Sequence, residues 1–385
     1  MGKIKIQFLL GKLNPGGAER QLIALLEGLD KERFLPLVIT YYQGGSWESK
    51  VKNISGVKYE SLRLKGRVDI IRLLAGLSRI SRTFKPHILF GLMGDACTVS
   101  LFVGRLFKNC KVIWGLRASN MDFTRYSKVS GIAYKLNALL SSRADLVISN
   151  SWVGKKYHIS KGYCKNKITV VPNGIDTKIF QPAPEAGKRL CKNLGIPSGM
   201  PVIGRIGRID PMKDYKTFFK ACSLVSKKVP QVHFIIAGDG PPLFIEELKA
   251  LNKKLGISNR VFWLGQQEDI VSVYNACTVT CSSSSFGEGF PNAVAESLSC
   301  EVLCAATDVG DTSIIIGRHG GLVVPPKNSV ALAQAMLKLL FLPKNKRLEM
   351  EKSARKHIEK NFGIERMVMA YEKVFSNIVD GSSLA

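Results

Sequence analysis

The sequence has 385 residues, enough for two domains of ordinary size, and its hydrophobic content of 45% excludes an intrinsically disordered chain. No apolar run approaches the roughly 20 residues of a membrane-spanning helix, and the apolar segment near the first residue lacks a secretory cleavage site. With a formal net charge of +26, the composition predicts a folded, basic, cytoplasmic protein.

Short apolar segments alternate with amphipathic ones in the first half of the chain. The apolar segments are brief and rich in branched residues, which is typical of buried strands. Strands are predicted at residues 4–10, 35–40, 87–90, 112–115, 145–149 and 168–171. Helices are predicted between them at residues 18–29, 69–84, 96–107 and 134–142. This alternation predicts a doubly wound, parallel α/β sheet.

The alternation is interrupted at residues 171–176, where the turn residues of VPNGID end a strand. A second series of strands is predicted at residues 201–206, 232–237, 261–264, 278–281 and 302–305. We therefore predict two facing doubly wound domains, an N-terminal one at residues 1–178 and a C-terminal one at residues 179–362. The helical tail is expected to end in a helix, residues 363–378, that packs back on the N-terminal domain.

Most of the positive charge lies in the N-terminal half. Residues 1–178 contain 30 lysines and arginines against 11 acidic residues, whereas residues 179–385 contain 26 against 19. Each basic residue near an anionic surface contributes about 1 kcal/mol, so this surplus predicts a phosphate-bearing partner or an anionic membrane surface. Nucleic-acid binding and simple solubility are the alternatives, but no readout module for nucleic acid is recognisable in the sequence.

The first predicted strand is followed by a glycine pair, Gly16 and Gly17, directly before a predicted helix. Glycines at such a turn let backbone N–H groups approach a phosphate, and the helix N-terminus adds about half a positive charge. The segment matches neither the dinucleotide-binding pattern G-x-G-x-x-G nor the P-loop. It predicts a phosphate contact at Gly16 and Gly17, with a plain tight turn as the alternative.

Arg208 and Lys213 follow the first predicted strand of the C-terminal domain. Ligands of open parallel sheets bind at the carboxyl ends of the strands. A guanidinium and an ammonium on one such loop suit a diphosphate whose negative charge grows as it leaves. The sequence therefore predicts that Arg208 and Lys213 bind a diphosphate, and the alternative is a solvated basic loop.

The segment SSSSFGEGFPNAVAE, residues 282–296, contains two glutamates eight positions apart. One lies in a glycine-flanked loop and the other about two turns into a predicted helix. Carboxylates accept hydrogen bonds from sugar hydroxyls, and the bare backbone beside the first glutamate can donate N–H groups. The predicted ligand contacts are Glu288, Gly289, Phe290, Pro291, Asn292 and Glu296. The alternative is two unrelated glutamates near a helix start.

Together these motifs resemble the retaining glycosyltransferases of glycosyltransferase family 4. Glu288 and Glu296 meet the E-x(7)-E pattern of that family, and the segments at residues 171–176 and 235–241 are similar to segments that recur in it. The resemblance runs over essentially the full length. It implies the GT-B architecture of two facing Rossmann-like domains, with a last helix that returns to the first domain.

The resemblance also implies a role for each motif. Glu288 is expected to contact hydroxyls of the donor sugar, and Glu296 the ribose of the nucleotide. The residues implied to hold the diphosphate are Gly16, Gly17, Arg208 and Lys213. Arg208, Lys213 and Glu288 are the expected catalytic residues. No metal and no other cofactor are expected, because the basic groups supply the charge that a metal ion supplies in other folds.

Candidates for the acceptor side lie in the N-terminal domain. Many family members carry a His-Asp or similar pair where this chain reads WGLRASN, so Arg117 and Asn120 are the candidates there. Arg117 is expected to contact a donor or acceptor phosphate, or else to pair with a surface acid. Asp95 is expected either to meet the acceptor or to cap a helix. The chain also departs from the family's pattern at residues 301 and 309–311, changes expected to be peripheral to the nucleotide site.

The predicted function is transfer of a hexose from a nucleotide-diphosphate sugar, expected to be UDP-linked, to a lipid-linked or surface-polysaccharide acceptor with retention at the anomeric carbon. Lipopolysaccharide biosynthesis is a typical setting. The protein is expected in the cytoplasm, peripheral on the inner face of the membrane, without a nucleic-acid partner. The alternatives are a GDP-sugar-dependent mannosyltransferase of the same fold and a non-catalytic, basic nucleic-acid-binding protein. Nine cysteines without C-x-x-C pairs predict buried free thiols.

Overall fold

The computed structural model of the protein describes residues 2–66, 69–119, 121 and 128–382. The chain forms two compact units. Unit 1 comprises Met1–Gly174 and Ile364–Ala385, and unit 2 comprises Ile175–Gly363. The chain first changes unit after Gly174, compared with the predicted boundary at residue 178.

Unit 1 is built on a parallel sheet whose described strands follow the order β3-β2-β1-β4-β5-β6-β7. The strands are β1 (Ile4–Leu10), β2 (Phe34–Thr40), β3 (Lys58–Ser61), β4 (Ile88–Leu92), β5 (Lys111–Leu116), β6 (Leu146–Ser149) and β7 (Ile168–Val170). The helices between them are α1 (Gly17–Gly28), α2 (Glu48–Lys52), α3 (Ile70–Phe84), α4 (Gly94–Gly104), α5 (Lys128–Leu140) and α6 (Trp152–Ser160).

Helices bury both faces of the unit 1 sheet. On one face, Phe8 and Phe90 pack with the apolar side of α1. On the other face, Leu9 and Leu89 pack with α3. Successive side chains of a strand point to opposite faces, so a strand buried on both sides is mainly apolar along its length. This preference explains the short apolar runs in the sequence.

Unit 2 contains a second parallel sheet, with the described strands in the order β10-β9-β8-β11-β12-β13. The strands are β8 (Val202–Ile206), β9 (His233–Ala237), β10 (Val261–Gly265), β11 (Val279–Ser282), β12 (Cys304–Thr307) and β13 (Gly321–Val324). The helices are α7 (Pro184–Asn193), α8 (Tyr215–Lys228), α9 (Pro242–Lys254), α10 (Ile270–Asn275), α11 (Asn292–Ser299), α12 (Thr312–Ile316), α13 (Ser329–Leu340) and α14 (Lys344–Phe362).

The last helix, α15 (Ile364–Asp380), belongs to unit 1. Its Phe375 ring makes edge-on contacts with the rings of Phe8, Phe34 and Phe90 at centroid distances of 6.1–6.2 Å. Edge-to-face pairs of this kind add about 0.5–1.5 kcal/mol beyond simple burial. The helix therefore completes the apolar layer that α1 begins.

The predicted fold class, two doubly wound parallel-sheet α/β domains, is confirmed. The sequence interpretation overlooked β3 and β13, both edge strands. Strand β3 reads KYES, and its alternating exposure reflects a strand with a solvated face that lacks an apolar run. Of the helices formed by the described residues, none has both the length and the apolarity needed to cross a bilayer.

The order of the strands sets where a ligand can bind in each unit. In unit 1 the strand order reverses between the neighbours β1 and β4, because the chain goes from β1 to β2 on one side and from β4 to β5 on the other. In unit 2 it reverses in the same way between β8 and β11. A crevice opens at the carboxyl ends of two such strands, because their connecting helices cover opposite faces. The loops after these four strands are therefore the places to examine.

Candidate functional site

The loops after β8 and β11 carry the predicted donor-site residues. These strands are hydrogen-bonded neighbours, with Val279 opposite Ile203. The loop after β8 contains Arg208 and Lys213, and the loop after β11 contains Glu288. Parallel neighbours end at the same edge of the sheet, so the topology brings the two loops together.

Lys213 and Glu288 form an ion pair between these loops. The Lys213 ammonium contacts the Oε1 atom of Glu288, and both side chains are largely withdrawn from solvent. The Ser284 hydroxyl donates to the same oxygen at 2.7 Å. Two residues that the sequence singled out in separate motifs are thus direct partners.

Glu288 is held in its ionised form. Burial disfavours the charged carboxylate and by itself raises the pKa of Glu288. The Lys213 ammonium, helped by Ser284 and by the charge of Arg205, outweighs burial and leaves the pKa of Glu288 below its ordinary value. The loop after β11 therefore presents an anionic hydrogen-bond acceptor at neutral pH.

Arg205, inside β8, fixes the backbone of the Lys213 loop. Its guanidinium donates to the carbonyl oxygens of Ile206 at 3.0 Å and Lys213 at 3.1 Å. It also stacks on the Tyr215 ring at 5.0 Å from the centroid, and it is fully buried. The sequence interpretation missed Arg205 because β8 was treated as an apolar strand. An arginine inside such a run was the available signal, because buried charges need partners.

Arg208 lies on the same loop, but its side chain is 68% exposed. Its guanidinium is 3.5 Å from the Asp210 carboxylate and donates to the Met212 sulfur at 3.9 Å. Asp210 in turn accepts a hydrogen bond from the Met212 N–H at 2.9 Å, which tightens the turn. The structure places Lys213 inside the cluster and Arg208 at its exposed rim.

The backbone beside Glu288 is braced by residues 309–311. The Asp311 N–H donates to the Gly289 carbonyl at 2.9 Å. Gly310 has a φ of 63°, and an added Cβ there would lie 2.4 Å from the same carbonyl oxygen. Only glycine combines this conformation with so close an approach. Residues expected to be peripheral therefore contact the loop that carries Glu288.

The other predicted donor-site residues lie at the start of α11. Phe290 is buried, with its ring 5.3 Å from that of Phe362. Pro291 is the N-cap of α11, and Asn292 is the first residue of the helix. The helix N-terminus supports hydrogen bonds from backbone N–H groups to a ligand. The contacts predicted for these residues with a donor stay predictions.

Glu296 lies within α11 and is buried. Its Oε2 atom accepts a hydrogen bond from the Tyr274 hydroxyl at 2.6 Å. Tyr274 belongs to α10 and is itself fully buried, so it holds the carboxylate in one orientation. The sequence did not indicate this partner, because Tyr274 is distant in the chain from the E-x(7)-E segment. The role of Glu296 toward a ribose stays a prediction.

In unit 1, Gly16 and Gly17 lie at the carboxyl end of β1. Gly16 is the N-cap of α1, with extended backbone, and Gly17 is its first residue. The Glu19 carboxylate folds back over this turn. It lies so close that an added Cβ on Gly16 would be 2.2 Å from Glu19 Oε2. An acidic side chain in the first turn interacts favourably with the helix dipole. The predicted phosphate contact at Gly16 and Gly17 therefore has a carboxylate beside it.

Asp95 is the second residue of α4, at the carboxyl end of β4, and it is exposed. The N-cap of α4 is Met93, which has a φ of 66°, so Asp95 does not occupy the cap position that the alternative interpretation gave it. Its carboxylate lies in the first turn of the helix, where negative charge is favourable. Asp95 stays a predicted acceptor-side residue.

Arg117 follows β5 and joins two other segments of unit 1. Its guanidinium donates to Asn173 Oδ1 at 2.9 Å and to the Tyr371 hydroxyl at 3.1 Å. These partners are an amide and a phenol, not the surface acid of the alternative interpretation. A contact between Arg117 and a phosphate stays a prediction. Asn120, the other candidate in this segment, lies outside the described residues.

All nine cysteines are free thiols, and seven of them are buried. Burial raises the pKa of Cys97 and of Cys110 to about 12, so both thiols are protonated at neutral pH. In the part of the chain that the structure describes, no three His, Cys, Asp or Glu side chains are grouped so that they could hold a metal ion.

Two family models match the chain, one in each half. Residues 15–179 match Glycosyltransferase Family 4, and residues 188–357 match Glycosyl transferases group 1. The first match begins at the end of the loop after β1 and includes the loop after β4, and the second includes the loops after β8 and β11.

Two curated relatives are similar in sequence. The chain is 26% identical, over 97% of its own length and 99% of the relative's, to the Campylobacter jejuni enzyme named GalNAc-alpha-(1->4)-GalNAc-alpha-(1->3)-diNAcBac-PP-undecaprenol alpha-1,4-N-acetyl-D-galactosaminyltransferase. It is also 26% identical, over 55% of each chain, to the Escherichia coli enzyme named UDP-Gal:alpha-D-GlcNAc-diphosphoundecaprenol alpha-1,3-galactosyltransferase.

A solved structure with a similar fold is that of Anabaena HepE in complex with UDP and glucose. It superposes with a TM-score of 0.85 over 97% of this chain and 100% of that chain, at 22% sequence identity. At this level of identity the similarity concerns the fold.

Proposed function

The chain belongs to glycosyltransferase family 4 and has the GT-B fold, and we propose that it transfers a sugar from a UDP-linked donor to a lipid-linked or surface-polysaccharide acceptor with retention at the anomeric carbon. The observation that carries the proposal is the ion pair between Lys213 and Glu288, which joins a cation for a phosphate to an anion for a sugar hydroxyl.

Lys213 and Arg208 are proposed to stabilise the departing diphosphate. Cations placed in advance at the position where negative charge develops lower the barrier to its departure. Lys213 is well positioned for this, because Arg205 and Ser283 both donate to its carbonyl oxygen, at 3.1 and 2.8 Å. Arg208, at the exposed rim, offers a guanidinium fork that binds phosphate oxygens in pairs.

Glu288 is proposed to orient the donor sugar. Its ionised carboxylate accepts hydrogen bonds from hydroxyls, and its low pKa preserves this ability at neutral pH. Holding the anomeric carbon in line with the acceptor hydroxyl converts an encounter into a positioned reaction. The sugar–phosphate C–O bond breaks as the new C–O bond forms, and the acceptor's hydroxyl proton passes to the departing phosphate oxygen.

The acceptor class rests on the names of the relatives. Two of them are named for acceptors in which a sugar is linked through a diphosphate to undecaprenol. Others are named as mannosyltransferases of lipopolysaccharide core biosynthesis, and these keep a mannosyl donor as a second candidate. The protein is therefore proposed to extend a glycan on a lipid anchor.

A surface of unit 1 with exposed apolar side chains supports this acceptor class. Phe102, Leu106, Leu136 and Leu139 are exposed apolar side chains, which we call the apolar patch. Phe102 lies in α4 and Leu106 just after it, whereas Leu136 and Leu139 lie in α5. A hydrogen bond between Thr98 and Asn137 shows that α4 and α5 are adjacent. The exposed basic residues in the same segments are Arg105, Lys108, Lys135 and Arg143.

Apolar side chains within a basic surface fit the headgroup region of an anionic bilayer. Leu106 and Leu139 are 66% and 76% exposed, a high fraction for leucine. The large positive surplus of residues 1–178 adds a long-range attraction to the same surface. We therefore propose that the protein works in the cytoplasm as a peripheral protein on the inner face of the membrane.

A panel of nucleotide sugars tests the proposed function. The full-length protein is incubated with UDP- and GDP-linked hexoses and N-acetylhexosamines and with a lipid-diphosphate acceptor, with and without EDTA. We expect transfer from one UDP-sugar, insensitivity to EDTA, and a product whose anomeric configuration matches that of the donor. Transfer with inverted configuration, or only from a GDP-sugar, would contradict the proposal.

A further inference from the structure

A cavity of about 750 Å³ is lined by residues of unit 1, and its lining contains none of the predicted donor-site residues. It is formed by the edge strand β3, the segment that follows it and helix α3. The lining residues that matter here are Lys52, Arg63, Arg72, Ala75, Gly76 and Arg79. We call this space the arginine cavity.

Three of the lining cations are uncompensated. Within the described residues, the side chains of Arg63, Arg72 and Arg79 have no ion-pair or hydrogen-bond partner. Lys52 differs, because its ammonium lies 3.5 Å from the Glu48 carboxylate and 4.9 Å from the centre of the Tyr59 ring. The carboxylate among the lining residues is that of Glu60, so positive charge dominates the cavity.

The side chains on the helix face between two of the arginines are unusually small. Arg72, Ala75, Gly76 and Arg79 are spaced so that they share one face of α3. A glycine inside a helix costs about 1 kcal/mol relative to alanine, so its presence here needs a structural reason. An added Cβ on Gly76 would lie 3.0 Å from a methyl group of Leu62. Gly76 lets the helix approach the neighbouring segment while the space between the two arginines stays open.

We propose that the arginine cavity binds a phosphoryl group with at least two negative charges, and that its source is the diphosphate of a lipid-linked acceptor. Planar guanidiniums bind phosphate oxygens in pairs and stay charged at every physiological pH. Three of them around one open space match a diphosphate better than they match a single carboxylate. The assignment to an acceptor rests on the proposed function, whereas the binding of the anion does not.

A calorimetric titration with inorganic pyrophosphate at about 0.15 M salt tests the site. The starting protein carries Arg208→Ala and Lys213→Ala, which remove the donor-site cations. Arg79→Gln and Ala75→Glu are then compared with Arg82→Gln, an exposed position on the same helix that does not line the cavity. All three changes lower the net charge by the same amount. The comparison therefore distinguishes binding at the arginine cavity from a general electrostatic attraction of the anion to the protein.

Arg79→Gln and Ala75→Glu should each weaken pyrophosphate binding about tenfold or more, and Arg82→Gln should leave it within about twofold. Thermal unfolding of each variant verifies that the fold is intact. An equal loss in all three variants, or no binding by the starting protein, would overturn the proposal.

Kinetics with the protein carrying intact donor-site residues identify the source of the phosphoryl group. Arg72→Gln should raise KM about tenfold for a lipid-diphosphate acceptor, without changing KM for the same glycan on a neutral anchor. An unchanged KM for the diphosphate acceptor, beside lost pyrophosphate binding, would overturn the assignment to the acceptor and point to a free anion. If no acceptor is glycosylated, the proposed function fails, and the titration still decides whether the cavity binds an anion.

Discussion

One oxygen of the Glu288 carboxylate accepts hydrogen bonds from both the Lys213 ammonium and the Ser284 hydroxyl. The ammonium comes from the loop after β8, whereas both other groups come from the segment after β11. The ion pair therefore links the two loops at the point where the strand order of the unit 2 sheet reverses.

Removing the proposed diphosphate cations should reduce turnover without unfolding the protein. Loss of one positioned group that stabilises a developing anion typically costs about 10²–10³ in rate. We expect losses of this order for Arg208→Ala and for Lys213→Ala in steady-state assays. Lys216→Ala is the matched control, because Lys216 lies nearby in α8 and pairs at the surface with Glu247. Near-normal turnover in both test variants would exclude their role with the leaving group.

The ion pair should make stability depend on pH in a defined direction. The folded-state pKa of Glu288 is lowered, so its contribution is fully present above the ordinary glutamate pKa of about 4.3 and is lost as the pH falls through the lowered value. Urea unfolding of the native protein and of Glu288→Gln between pH 7 and pH 3 measures this contribution. The stability advantage of the native protein should shrink on acidification. An advantage that grows as the pH falls would contradict the assignment.

Arg205 should support both stability and turnover. Arg205→Lys keeps the charge but loses the fork that reaches the carbonyls of Ile206 and Lys213 together. A buried carbonyl left without its donor costs about 1–3 kcal/mol. We expect a destabilisation of that size in chemical unfolding and a lower kcat, because the Lys213 loop loses an anchor. Unchanged stability and kcat would show that the fork is dispensable.

The apolar patch should determine binding to anionic membranes. Leu106→Glu and Leu139→Glu place a charge where an apolar side chain is proposed to enter the headgroup region, so vesicle partitioning at about 0.15 M salt should fall about tenfold or more. Leu243→Glu is the matched control, because Leu243 is 88% exposed but lies on α9 of unit 2. Equal losses in all three variants, or equal binding to neutral vesicles, would rule out this surface.

The sequence predicted the features of the fold that follow from strong periodicity. Strands buried on both faces, such as β1 and β8, are mainly apolar and were placed close to their observed bounds. The edge strand β3 was missed because its pairing depends on β2, not on its own composition. The motifs also identified Lys213 and Glu288, because a charged residue at the end of a parallel strand has few structural reasons to be there.

Other features of the site could not be predicted, because they depend on contacts distant in sequence. Tyr274 reaches Glu296 from another helix, and no local pattern connects the two. Arg117 stands where many family members carry a His-Asp or similar pair, and its partner Tyr371 comes from the last helix of the chain. Pairings of this kind are set by packing, which a single sequence does not encode locally.

The two glutamates give the sharpest test, because UDP alone carries the ribose and only the full UDP-sugar carries the hexose. Calorimetric titration of Glu288→Ala and Glu296→Ala with both ligands separates their roles. Glu296→Ala should weaken both ligands by a similar amount, about 1.5–3 kcal/mol for a hydrogen bond to a charged group. Glu288→Ala should leave UDP binding nearly unchanged and depress turnover. If Glu288→Ala instead loses UDP affinity as strongly as Glu296→Ala, the two carboxylates do not divide the donor between ribose and sugar, and the proposed donor site is wrong.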